Sequence, residues 1–302
     1  YGSTQGALGA NTTGSHNTAV GGRALRLNTT GDNNTAVGDR ALAANTTQSN
    51  NVAIGYRALI NQTTADQNTA VGADAMYTNT AGEYNTAVGY MALYTNNAGN
   101  NTALGYQALL SNTTGGDNTA VGHSALDANT EGFSNTAVGK AALGACTTGD
   151  YNTAVGHAAL DAVTTGNRNT AVGTFALTSN TGSYNVALGM YALNQNTSGQ
   201  FNVGIGYAAL DANTTGEYNI AIGYEALKTN TGSNGNTAVG HYALRLNTGA
   251  KNTAMGTNAG TAISTGVENT VVGYNALDDC TGGGENTAVG EQALTSVTTG
   301  SN

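Results

Sequence analysis

Apolar and polar positions recur along this chain with a fixed phase. From Asn17 onward, the stretch N-T-A-V-G is followed by x-x-A-L and then by a polar tract ending in N-T-T-G. The cycle runs 17 times, in units of 17 residues except for three of 16 that begin at Asn85, Asn169 and Asn236. Residues 1–16 carry only the second half of a unit, with Ala7-Leu8 and then Asn11-Thr12-Thr13-Gly14. Self-similarity at a fixed period is the signature of a repeat architecture. No linker or compositional shift breaks the array. The chain therefore reads as a single repeat domain, 1–302, with 1–16 a partial repeat and 17–302 seventeen repeats.

Counting the first Asn of each unit as position 1, three positions never vary. They are Asn at 1 (Asn17, Asn118), Gly at 5 (Gly21, Gly122) and Ala at 8 (Ala24, Ala125). Position 4 is always aliphatic or Met, as at Val20 and Val121, and position 9 is Leu, as at Leu25 and Leu126, except for Met76 and Gly260. In N-T-A-V-G, positions 2 and 4 fall on one face of a strand. Position 2 is Thr but becomes Val52, Val186, Val203 or Ile220, a β-branched exchange that suits a partly buried face. Gly at 5 predicts positive φ or close backbone approach at the strand end. N-T-T-G is turn chemistry, and the one-residue deletions fall in that half, as a loop permits. The absence of proline fits a chain whose N–H groups mostly donate to a ladder.

The predicted fold is all-β, a parallel β-solenoid or β-roll of 17-residue rungs. The A-L segment reads as a second short strand; the alternative is one short helical turn per rung, closed by the Gly of N-T-T-G. One Val and one Leu per rung make a thin core, and small residues at 3, 5 and 8 permit a second surface to come close. Association of several chains, most simply three, is the expectation. Seventeen rungs at ~4.8 Å would give a rod about 80 Å long.

Composition narrows the function classes. The chain has 302 residues with 44 Gly, no Pro and no Trp, and charged residues make up only 9%. The formal charge is −9 with only 9 Lys and Arg, so the basic stripe that a nucleic-acid surface needs is missing. No apolar run approaches the ~20 residues that cross a bilayer as a helix, so membrane insertion is not expected. With no initiator Met and no signal peptide, the sequence reads as a processed or internal segment.

Candidate chemistry is sparse. Three of the four His, at 123, 157 and 241, occupy the variable position 6 and stand too far apart for one metal ion. No Ser or Cys is placed with them as a nucleophile. Cys146 and Cys280 both sit at position 12, eight rungs apart and too distant for an intrachain disulfide. Because position 12 takes Asn, Val or Cys, it reads as a half-buried turn. Asp117, Asp150, Glu217, Glu268 and Glu285 at repeat ends read as a solvated face. No catalytic residue, metal or cofactor is expected, and the chain does not read as an enzyme. Position 6 carries Tyr56, Tyr90, Tyr106, Tyr207, Tyr224 and Tyr274, either as platforms for sugars or a partner chain, or as covers that stack between rungs. Sequons at Asn28, Asn45, Asn112 and Asn213 are candidate glycosylation sites, although most come with the N-T-T turn itself. Thr columns also raise an ice-binding reading, weakened by the four rungs with Val or Ile at position 2.

The N-T-A-V-G-x-x-A-L unit resembles the S-V-A-I-G-x-x-A motif of trimeric autotransporter adhesin heads, and also repeats in phage and bacterial tail fibres. The resemblance spans residues 17–302. It implies a left-handed parallel β-roll, three chains about one axis, and a place at a cell or virion surface. The unit here is longer than in the adhesin heads. The functional expectation is a structural extracellular fibre or adhesin-shaft segment that spaces or presents a binding tip. Two alternatives stand beside it: a subunit of a self-assembling filament built end to end from copies of itself, or a rod that binds cell-surface glycans through its Tyr columns.

Overall fold

The computed structural model describes residues 6–295 and 298–300. The chain divides into two compact units, Tyr1–Tyr151 and Asn152–Asn302, with the break between consecutive repeats. The first holds strands β1 (Thr18–Val20) to β8 (Thr136–Val138), and the second β9 (Thr153–Val155) to β17 (Thr287–Val289). Every strand is the three residues at positions 2–4. Within each unit, successive strands pair in parallel and in register, position on position, as in Thr18↔Thr35, Ala19↔Ala36 and Val20↔Val37. The protein is an all-β, parallel β-solenoid with no helix among the described residues. The 16-residue rungs keep the same register, Thr86↔Thr102 and Thr237↔Thr253, so the turn half absorbs the deletions as expected.

The A-L segment is neither a second strand nor a helical turn. The Ala24 N–H donates to Gly21 O (3.4 Å) and the Asn28 N–H to Leu25 O (3.2 Å), closing two successive β-turns. Position 7 has positive φ (Arg23, 63°), the requirement of a type II turn at its third residue, and so does position 9 (Leu25, 48°). Between turns, the Leu25 N–H reaches Ala41 O of the next rung (3.0 Å). With φ alternating in sign, neither a β-ladder nor a helix can form there, yet the rung still bonds to its neighbours.

Gly at position 5 meets both expectations. Gly122 has φ of +138°, and a Cβ there would stand 2.5 Å from the Gly139 carbonyl oxygen of the next rung. L-residues rarely adopt that φ, and the stacking leaves no room for a side chain.

The core is not the one that hydrophobicity predicts. In β2, Ala36 is buried while Thr35 and Val37 flank it at intermediate exposure; in β6, Thr102 and Leu104 are exposed around buried Ala103. Positions 2 and 4 do share a face, but it is the outer one. The interior is Ala at 3 and 8, Leu at 9 and Asn at 1 and 12, most of them fully buried. The coil is narrow, and five inward side chains per rung fit it only when four are Ala- or Asn-sized.

Two asparagine ladders run through this interior. At position 1, Asn68 Oδ1 accepts the backbone N–H of Asn85 in the next rung (2.9 Å), and its Nδ2 donates to Gly82 O (2.8 Å). At position 12, Asn79 Nδ2 donates to the same Gly82 O (2.9 Å), and its Oδ1 accepts from Asn96 Nδ2 (3.2 Å). A buried amide costs least when its polar atoms are paired, and the constant rung-to-rung translation pairs nearly all of them by repetition.

Candidate interaction surface

The outer sheet face is the most distinctive surface. Strand positions 2 and 4 project from it, and their apolar members are exposed or half-exposed: Val20 by 58%, Leu104 by 47% and Met255 by 52%, with Ile54, Val172, Leu188, Ile220 and Ile222 also exposed and Val37, Val71, Val88 and Val121 half-exposed. In-register pairing stacks like on like, so position 4 is a ridge of Val, Ile, Leu and Met running along each unit beside a column of Thr. Val121 lies on this ridge, whereas Asn118, Ala125 and Leu126 face inward.

The position 6 aromatics form stacks. Tyr90, Tyr106 and His123 lie ring on ring at 5.5 and 5.0 Å, and Tyr207, Tyr224 and His241 repeat the triplet at 5.1 and 5.2 Å. Position 17 adds Tyr184, Phe201 and Tyr218 at 4.9 and 5.2 Å. All six position 6 tyrosines, including Tyr56 and Tyr274, are exposed. Inside each triplet the facing ring surfaces are taken up by neighbouring rings, and the middle ring has both faces covered. Ring faces are what a sugar would stack on, so the geometry matches covers between rungs more closely than platforms. Tyr56 instead carries the Arg57 guanidinium over its ring at 4.7 Å.

The candidate glycosylation residues lie inside. Asn28, Asn45, Asn112 and Asn213 all belong to the position 12 ladder and are fully buried. Asn112 Nδ2 donates to Asn96 Oδ1 (2.7 Å) and Gly115 O (2.8 Å). Their amide nitrogens are not presented for glycan attachment in the folded coil. Position 12 is likewise a core position, not a half-buried turn: Cys146, Val163 and Cys280 are fully buried, and both Cys are free thiols. Burial pushes the Cys146 thiol up to about 11, which keeps it protonated and unreactive at neutral pH. The His residues at 123, 157 and 241 are exposed. Among the described residues, no three His, Cys, Asp or Glu side chains are grouped to hold a metal ion.

Sequence reasoning missed the two Asn ladders, although a signal was present. Asn never varies at position 1 while the adjacent Thr exchanges with Val and Ile. A polar residue that admits no substitute in any copy, beside one that does, marks a buried hydrogen-bonding role. It also missed the inner ion pair of Arg57 with Asp74, at 2.7 and 2.9 Å, because position 7 pairs across a whole rung of 17 residues. No protein-family model matches this chain, and no curated protein does.

Proposed function

We propose that this chain is a structural segment of an extracellular fibre or adhesin shaft, one that spaces or presents a binding tip at a cell or virion surface and associates with copies of itself, three being the simplest number. The observation that carries the reading is the exposed apolar ridge at position 4. Monomeric proteins rarely leave a contiguous apolar strip uncovered, and covering it with the same strip of a second chain needs no other partner. The unbroken repeat and the N-T-A-V-G-x-x-A-L resemblance favour a fibre over a compact binding module. Catalysis has no part in this proposal. The Tyr columns enter it as braces between rungs.

The test is the oligomeric state. Val71→Lys, Val88→Glu and Leu104→Lys together place alternating charges on three successive rungs of the ridge without entering the core. The parent should sediment as a homo-oligomer at low micromolar concentration, and the triple variant as a monomer with an unchanged far-ultraviolet circular dichroism spectrum. A parent chain that is folded and monomeric under those conditions overturns the proposal.

A further inference from the structure

The cations of this acidic protein are unevenly placed. Four of the nine Lys and Arg, namely Arg23, Arg26, Arg40 and Arg57, fall within 35 residues near the start of the array. Arg57 is satisfied by Asp74, whose carboxylate it grips through both Nε and Nη2. Arg23 and Arg26 make no ion pair among the described residues. Arg40 has only Asp39, whose Oδ2 is 3.6 Å from Nε, and that Nε has no hydrogen-bond partner.

These three guanidiniums border a notch of about 470 Å³. Its origin is a local change of side-chain size. Positions 10 and 11 carry Arg26 and Leu27 in one rung, Ala43 and Ala44 in the next, and Ile60 and Asn61 in the third. The alanine pair leaves a gap between two rungs of longer side chains, so the floor is apolar methyl surface and the rim is cationic. Ala43 is 8% exposed at the bottom of it.

We propose that this notch is a binding site for an acidic sugar unit, a pyranose ring carrying a carboxylate or a sulfate. The volume has room for a monosaccharide unit. The alanine, Leu27 and Ile60 surfaces suit the C–H face of a ring, and arginine pairs with planar or tetrahedral oxyanions through two parallel N–H donors. Nearby acid is accounted for: Asp74 is held by Arg57, and Asp39 offsets only one of the three arginines. The site stands on its own geometry and does not depend on the fibre reading.

The experiment is a titration of the full chain, selectively methyl-labelled at alanine, with glucuronate, glucose 6-sulfate, neutral glucose and inorganic sulfate in turn. One or both acidic sugars should shift the Ala43 and Ala44 methyl resonances with a Kd of about 1 mM, the strength expected of a dozen or so ligand atoms in an open site. Which of the two binds more tightly distinguishes a uronate from a sulfated source. Affinity should weaken several-fold as salt rises from low to physiological concentration. Arg23→Ser with Arg26→Ser should cost about tenfold or more. Ala44→Leu, which repeats the Leu already present at Leu27, should block the notch and abolish the shifts. Lys140→Ser with Lys251→Ser, which removes the same charge elsewhere, should leave binding unchanged. The proposal is overturned if neither acidic sugar shifts those methyls at tens of millimolar, if inorganic sulfate or glucose binds as well as the acidic sugars, or if the Lys140 and Lys251 pair weakens binding as much as the arginine pair.

Discussion

The two asparagine ladders use the same residue type, in the same core, and even the same acceptor. Asn68 at position 1 and Asn79 at position 12 both donate to Gly82 O. Yet position 1 is Asn in every copy, while position 12 becomes Gln62, Cys146, Val163, Ile263 or Cys280. The difference lies in what accepts and donates on the other side. The position 1 amide oxygen receives a backbone N–H, a donor that every substitution leaves in place and buried. The position 12 amide oxygen receives mainly side-chain amides: that of the next position 12 (Asn96 to Asn79), a donor that disappears with its own side chain, and that of position 1 (Asn101 to Asn96). A backbone N–H joins them in a few rungs, as from Gly182 to Asn180 and from Gly249 to Asn247. Deleting a whole hydrogen-bonding pair costs little, whereas orphaning one buried partner costs its full desolvation. Two of the places where the second ladder stops show a trace of it: Asn45 Oδ1 before Gln62 and Asn129 Oδ1 before Cys146 are buried without a hydrogen-bond partner.

The largest effect is expected at the glycine that closes the strand next to the first ladder. Gly122→Val forces a β-branched residue to φ +138° with its Cβ against the Gly139 oxygen. It should cost about 4 kcal/mol or more, seen as a lowered or split thermal transition. His123→Ala next door should leave melting close to that of the parent.

The ladder comparison itself is tested by making one substitution in both columns. Asn68→Val orphans the Asn85 N–H and should destabilise by about 3 kcal/mol. Asn79→Val, which copies what Val163 does naturally, should cost about 1 kcal/mol or less, because Gly82 O keeps its bond from Asn68. Equal costs in chemical denaturation would remove the distinction drawn above.

A volume exchange sharpens it further. In one rung, position 9 is Gly260 and position 12 is Ile263, and a Cβ on Gly260 would stand 2.8 Å from Ile263 Cδ1. The Leu of the usual rung has in effect moved to position 12. Gly260→Leu alone should overpack the core and cost about 2 kcal/mol. Adding Ile263→Asn, which restores the common pair, should recover most of the loss; a double variant no better than the single one would refute the exchange.

The smallest effect is a gain. Cys146→Asn supplies the missing donor to Asn129 Oδ1 and should raise stability by about 1 kcal/mol, read as a higher melting temperature. The parent thiol offers a parallel check, because burial holds it protonated. Alkylation of Cys146 at pH 8 should be slow until the chain unfolds.

Much of this fold is legible in the sequence because a repeat states its own constraints. The period fixes the rung, and parallel pairing follows from it. The confinement of deletions to the N-T-T-G half identifies the turn, and Gly in all copies at position 5 announces a backbone that no side chain can occupy. The interaction surface was less legible. The Tyr columns could be listed, but whether their faces or edges meet solvent depends on how rung stacks on rung, as Tyr90, Tyr106 and His123 show.

What the sequence could not decide was which side of the strand is inside. Alternation places Thr35 and Val37 on one face and Ala36 on the other, and hydrophobicity alone puts Val in the core. Only the closed coil reverses that choice. Its cross-section already holds Leu42 and two amides, the room left against them is the size of a methyl group, and so Ala36 turns inward and the larger aliphatic faces out.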